Sequence, residues 1–305
     1  MYKEKHRAHS EFVPIRGLRY HVWQWSLGPP QPQLPPLVML HGWMDVGASY
    51  QFMVDAFSDG FLRGRRLIAP DWRGFGQTTT GADNFWFPDY LADLDFLLDT
   101  LSPDQPVDLL GHSMGGNITL CYAGVRPQRI RRAINLEGFG LAQSRPSQAP
   151  GRYAQWMDEL KGLHAGTFEL RSYPDAASVA QRLIKTNPRL SVGKAQWLAQ
   201  HWARPDDQGA WRILGEAAHK IKNPYLYRWD EMQTIWQRIA APVLSVEASD
   251  DSLSLWWKGS YTLQDYHERL KNIAQVRVAR IDQAGHMLHH DQPQALAQIV
   301  EEFLA

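Results

Sequence analysis

The run Gly111-His112-Ser113-Met114-Gly115, followed by Gly116, sets one serine between small residues. It matches the pattern G-x-S-x-G, a turn from strand to helix too tight for side chains at 111 and 115. Such a turn lifts a serine oxygen clear of a sheet and sets it at a helix N-terminus. The preceding VDLL at 107–110 reads as a strand and the following 115–125 as a helix, the setting this turn requires. A serine hydroxyl is a poor nucleophile alone; it needs a base and two N–H donors for the oxyanion that forms on attack. The Met114 amide, at the helix start, is expected to be one donor. LVML at 37–40 runs into His41-Gly42-Trp43, where Gly42 lets the backbone turn inward, so the Trp43 amide is the expected second.

These residues need a frame. LVML is a continuous apolar run, as expected of a strand buried on both faces. The same texture returns at 67–69, 107–110, 133–136, 243–246 and 276–281, while 11–26 reads as a hairpin about Gly17. Helical stripes separate several of the runs: 88–101 with Pro88 at its start, 115–125 ending before Pro127, and a terminal stripe from Pro293. Alternating strands and helices predict an α/β fold, a mostly parallel doubly wound sheet. The alternation fails between 141 and 240. There the stripes at 156–160, 177–184, 195–203 and 232–239 are helical, with Asp230 as a candidate N-cap, and six of the chain's thirteen tryptophans gather. The expected organisation is a core of 11–140 and 241–305, an inserted helical lid at 141–240, and a loose tail at 1–10.

HGWMD at 41–45, DWRGFG at 71–76, GHSMGG at 111–116 and AGHMLHHDQP at 284–293 occur in that order. Together they resemble the α/β-hydrolase superfamily, in particular its lid-bearing branch of serine hydrolase-like proteins, esterases and dehalogenase or epoxide-hydrolase relatives. The resemblance covers nearly the whole chain from about residue 12. Dehalogenases and epoxide hydrolases of this type attack with an aspartate, whereas this elbow holds Ser113, which argues against those two chemistries. The resemblance implies the chain order serine, acid, histidine, and so His286 as general base, with His289 and His290 as near rivals. For the acid it implies a place past the strand before the last, where Asp251 falls, with Asp250 one residue off. It also leaves Glu137, past the strand before the lid, as some dehalogenase-like relatives have it. Asp251 is the first expectation; Glu137 and Asp250 stand as alternatives. Asp71 and Arg73 are expected to hold loops, and Asp45 to anchor a loop or touch substrate.

Composition narrows the classes. Thirty-two basic and thirty-two acidic side chains in 305 residues leave no net charge, which speaks against a nucleic-acid partner. The chain is 44% hydrophobic and carries one cysteine, Cys121, so no internal disulfide can form. A lone packed thiol and an N-terminus with no apolar core suggest a cytoplasmic protein with no membrane span. His289-His290-Asp291 lacks ligand spacing on one helix face, and no phosphate-binding glycine loop is present, so neither metal nor cofactor is expected. The reading is a serine hydrolase cleaving carboxylic esters with an apolar part through an acyl-enzyme. Its alternatives are hydrolysis of a lactone, thioester, amide or C–C bond, or a silent small-molecule or partner-binding member. The tryptophan-rich lid implies a small substrate of apolar character; the sequence is silent on oligomeric state.

Overall fold

A computed structural model describes residues 2–305. The serine-bearing turn leaves the middle of an eight-stranded sheet. The strands are β1 (His9–Ile15), β2 (Leu18–Trp25), β3 (Leu37–Leu40), β4 (Leu67–Pro70), β5 (Val107–His112) and β6 (Ile130–Leu136). Three short strands follow, β7 (Ser172–Tyr173), β8 (Ala203–Pro205) and β9 (Trp211–Ile213), and then β10 (Val243–Ala248) and β11 (Val276–Ile281) complete the large sheet. The order across it is β1-β2-β4-β3-β5-β6-β10-β11. From β4 to β11 all pairings are parallel; β1 and β2 form an antiparallel edge. The β1–β2 turn places Arg16 and Gly17 both at positive φ, the backbone that suits the twist of a two-residue hairpin.

Every expected run is a strand of this sheet, but 276–281 is not buried on both faces: β11 is an edge strand whose Arg277, Val278 and Arg280 are exposed. The inner runs read as continuous because both faces are covered. Val38, Leu40, Leu109 and Val243 join one core layer, and their neighbours Leu37, Met39, Leu110 and Leu244 join the other. The terminal helix Pro293–Leu304 packs on the second layer, and Phe87–Leu101 and Met114–Val125 on the first.

Between β6 and β10 the chain forms the helices Ala149–His164, Ala176–Thr186, Val192–Trp202 and Trp229–Trp236. Asp230 does not cap the last of these: the helix starts two residues earlier than that cap would place it, with Arg228 at the cap and Asp230 in the first turn. The segment also holds an antiparallel sheet of order β7-β9-β8. Strands of two and three residues carry no period that a sequence can show. The lid's apolar layer, Tyr173, Val179, Leu183 and Leu198, packs against Val46, Ala48 and Phe52 just after β3, so the insertion sits over the sheet end that carries the serine loops.

Of the 1–10 expected as a loose tail, residue 1 lies outside the described residues and residues 2–6 are tied down. Tyr2 hydroxyl, Lys5 N–H and His6 N–H all donate to the Asp55 carboxylate, and the Trp197 indole of the lid donates to Glu4 (2.8 Å).

Candidate active site

Ser113 is the residue after β5, and its backbone stands at φ 53°, ψ −113°. A non-glycine residue held there is strained, and the flanking glycines show why it persists. A Cβ on Gly111 would meet the Gly115 carbonyl oxygen at 2.1 Å, and one on Gly115 would meet the Leu40 oxygen at 2.0 Å. The helix Met114–Val125 is thus pressed onto β3 and β5, with Ser113 at its N-terminus. The Ser113 N–H still continues the sheet, donating to Leu136 O (2.8 Å).

The loop after β3 lies against the serine. A Cβ on Gly42 would stand 3.2 Å from Ser113 Cβ. His41 fixes this loop: its Nδ1 is 2.8 Å from Gly42 O, and its Nε2 accepts the Trp72 N–H (2.9 Å). Burial pushes His41 down to about 4, so the ring is neutral and bonds through one donor and one acceptor. With the Gly42 carbonyl drawn to His41, the trans peptide turns the Trp43 N–H the other way. Among the described residues neither the Trp43 nor the Met114 N–H has a hydrogen-bond partner.

His286 follows β11, and its Nδ1 lies 3.3 Å from Glu137 Oε2. Glu137 is the first residue past β6. β5 and β6 are in register with His112 opposite Leu136, so Ser113 and Glu137 leave adjacent strands at the same level. Both take a positive φ, 53° and 56°. The Glu137 carboxylate is buried and accepts the Ala248 N–H (2.8 Å) and the Ser252 hydroxyl (2.5 Å). Burial pushes Glu137 up to about 7, against the pull of those two donors. Burial also lowers His286, leaving the imidazole unprotonated at rest, the form a base requires.

Asp251, the first expectation for the acid, is elsewhere. It is exposed and caps the helix Ser252–Trp257, its Oδ1 accepting the Ser254 N–H (2.9 Å). Asp250 is exposed and paired through both oxygens with Arg189 of the lid, at 2.6 and 3.1 Å. Of the three carboxylates, only Glu137 reaches His286. His289 and His290, the rival bases, are fully buried behind the elbow, with His289 3.9 Å from Asp45.

The α/β hydrolase fold family matches residues 35–293. The chain belongs to that family. It is 25% identical over 317 residues to a serine hydrolase-like protein of Danio rerio, a match covering 98% of this chain and 89% of the relative. It is 26% identical over 278 residues to 2-hydroxymuconate semialdehyde hydrolase of Pseudomonas sp. strain CF600, covering 88% and 87%. Among solved structures, the thioesterase domain from the curacin biosynthetic pathway superposes with TM-score 0.80 at 23% identity, covering 96% and 99%. A hypothetical protein of Pseudomonas aeruginosa PAO1 gives 0.82 at 21%, covering 98% and 99%. The protein is a hydrolase-type enzyme of this superfamily.

Several residues of this hydrolase's site carry no motif. His112 has Nε2 2.7 Å from the His286 carbonyl oxygen and so holds the backbone of the expected base. Ser252 and the Ala248 amide seat Glu137. Trp256 stands edge-on to the His286 ring, centroids 4.3 Å apart, and is 50% exposed. Trp43, 51% exposed, is anchored to the lid by its indole N–H on His219 O (3.3 Å). The lid tryptophans divide. Trp202 donates to Met44 O (2.9 Å) beside the expected oxyanion loop, whereas Trp197 faces Glu4 and Tyr2. Trp229 and Trp236 pack on each other, with Arg269 over Trp229 and Tyr266 beside Trp236. Most of the lid's tryptophan is therefore scaffold, and the exposed indoles nearest the serine and histidine loops, Trp43 and Trp256, belong to the core. Asp71 and Arg73 hold loops: Asp71 accepts the Gly47 and Gln77 amides, and Arg73 forms a two-point pair with buried Asp93. Among the described residues no helix is long and apolar enough to cross a membrane.

Proposed function

We propose that the protein is a serine hydrolase in which Ser113 attacks an activated carbonyl, His286 takes and returns the proton, and Glu137 orients the imidazole. The observation that carries this reading is the Glu137–His286 hydrogen bond, formed by a strand end in register with the one that presents Ser113. The Trp43 and Met114 amides receive the oxyanion, an acyl-enzyme forms, and water releases the acid. The segment 141–240 serves as the lid over this centre. The substrate is a small molecule with an apolar part resting on Trp43 and Trp256, and the single buried thiol fits a reducing, cytoplasmic setting.

Within the carbonyl class, ester, thioester, lactone and C–C cleavage share this machinery. The similarity to 2-hydroxymuconate semialdehyde hydrolase over most of the chain gives C–C cleavage beside a ketone equal standing with the ester. A panel of p-nitrophenyl acyl esters, acyl thioesters and a 2-hydroxy-6-oxo-dienoate separates the bond types. Ser113→Ala is expected to abolish turnover and fluorophosphonate labelling while leaving the fold intact. Undiminished labelling of Ser113→Ala rejects the nucleophile.

A further inference from the structure

Behind the elbow lies a cluster that the hydrolytic reading does not use. Asp45 follows the His41–Trp43 loop; His289 and His290 lie on the short helix Leu288–Asp291. They are 6, 0 and 3% exposed. Each presents one ligand-type atom, and the three atoms lie within 4.8 Å of one another. Three points so spaced share a centre no more than about 2.8 Å from each (4.8 Å divided by √3), against metal bonds to histidine and carboxylate of about 2.0–2.2 Å. Closing each ligand by less than about 1 Å completes a coordination triangle.

A second observation points the same way. His289 Nδ1 and His290 Nε2 are buried without any hydrogen-bond partner. His289 Nε2 has only Ser49 Oγ at 3.5 Å and Asp45 Oδ2 at 3.9 Å. Buried imidazole nitrogens are ordinarily paired, and two neighbouring rings, 4.2 Å apart, fall short of that together. The Ser49 hydroxyl donates to Asp45 Oδ2 (2.8 Å) and stands 3.5 Å from His289 Nε2, so it lies at the edge of the cluster and orients the carboxylate. Against a cation stands Lys194, whose Nζ donates to His290 O (3.0 Å).

We propose that Asp45, His289 and His290 form a binding site for one divalent transition-metal ion of the Zn²⁺ class, separate from the hydrolytic centre. Two imidazoles and one carboxylate without thiolate suit Zn²⁺, Co²⁺, Ni²⁺ or Cu²⁺, and not the all-oxygen shells of Ca²⁺ or Mg²⁺. Such an ion leaves a coordination position for water or Ser49. The ammonium of Lys194 opposes it, so that residue sets the affinity.

The test uses the full chain, stripped with EDTA and titrated with ZnCl₂ by calorimetry, with CoCl₂ absorption as the report of coordination geometry. One saturable equivalent, a raised melting temperature and an intense tetrahedral-type Co²⁺ spectrum are expected. Asp45→Asn and His290→Gln should each weaken binding at least tenfold, and Lys194→Met should tighten it several-fold. Binding that neither Asp45→Asn nor His290→Gln changes belongs to other histidines and overturns the proposal, as does the absence of a saturable equivalent. Should those variants fail to fold, wild-type crystals soaked in Zn²⁺ decide. An anomalous peak among the three side chains supports the site, and no peak there rejects it.

Discussion

Glu137→Gln and Asp251→Asn are expected to behave in opposite ways. The first keeps the shape of the side chain but removes the charge beside His286, so kcat should fall by about 10³–10⁴-fold. The second should leave kcat near wild type, because asparagine caps the Ser252–Trp257 helix about as well as aspartate does. Steady-state kinetics on the best substrate of the panel compare them directly. The pH dependence follows from the pair. Burial lifts Glu137 to about 7, so Glu137 and His286 together take up their first proton near neutrality, and that proton removes the base. The acid limb of kcat/KM should therefore lie near pH 7, with activity lost as the pH falls through it. In Glu137→Gln the carboxylate that shares the proton is gone while burial still disfavours the charged imidazole, so the limb should move down. The positions of Ser113 at the elbow and His286 after β11 were legible because their signals are local: a glycine-bounded turn, and a histidine after glycine past the last strand. The carboxylate that meets His286 was not, since three carboxylates follow strand ends and only the β5–β6 register puts one of them level with Ser113. Trp256, Ser252 and His112 reach the site through tertiary packing and have no signature to read.

The lid grips the histidine loop at two points. Asn187, after the Ala176–Thr186 helix, donates to Asp291 Oδ1 (2.7 Å), and Asp291 Oδ2 accepts the Gly285 N–H (2.9 Å), next to His286. Arg189 pairs with Asp250, whose N–H donates to Ala284 O (3.0 Å). Arg189→Ala should cost less than about 1 kcal/mol of stability, since the pair is exposed, but should lower kcat several-fold by loosening the His286 loop. Added salt should weaken wild-type activity in the same direction and leave Arg189→Ala unmoved, a contrast that steady-state rates at two ionic strengths report. The strands and long helices were readable because burial on two faces, or on one stripe, repeats over many residues. The small β7-β9-β8 sheet and this clasp were not: they depend on a few residues each, from segments that only the folded chain brings together.

Taken as a whole, the molecule offers internal reporters of its integrity. Cys121 is buried in the helix behind Ser113, and burial pushes its thiol up to about 12. A disulfide reagent should leave the native protein unlabelled and should label it in step with urea unfolding; labelling of the folded chain would show that this helix opens on its own. The lid's last helix also meets the core closely, since a Cβ on Gly124 would stand 2.1 Å from Ile235 O. Gly124→Ala should therefore lower the melting temperature, despite alanine's better helix propensity. Glu4 bonds to Trp197, 193 residues later. At 5–20 residues per second, roughly 10–40 s pass between the synthesis of the two partners. The N-terminal segment can meet Asp55 early, but the Glu4–Trp197 bond can close only after the lid has been translated, so an early-made stretch of chain completes its contacts late.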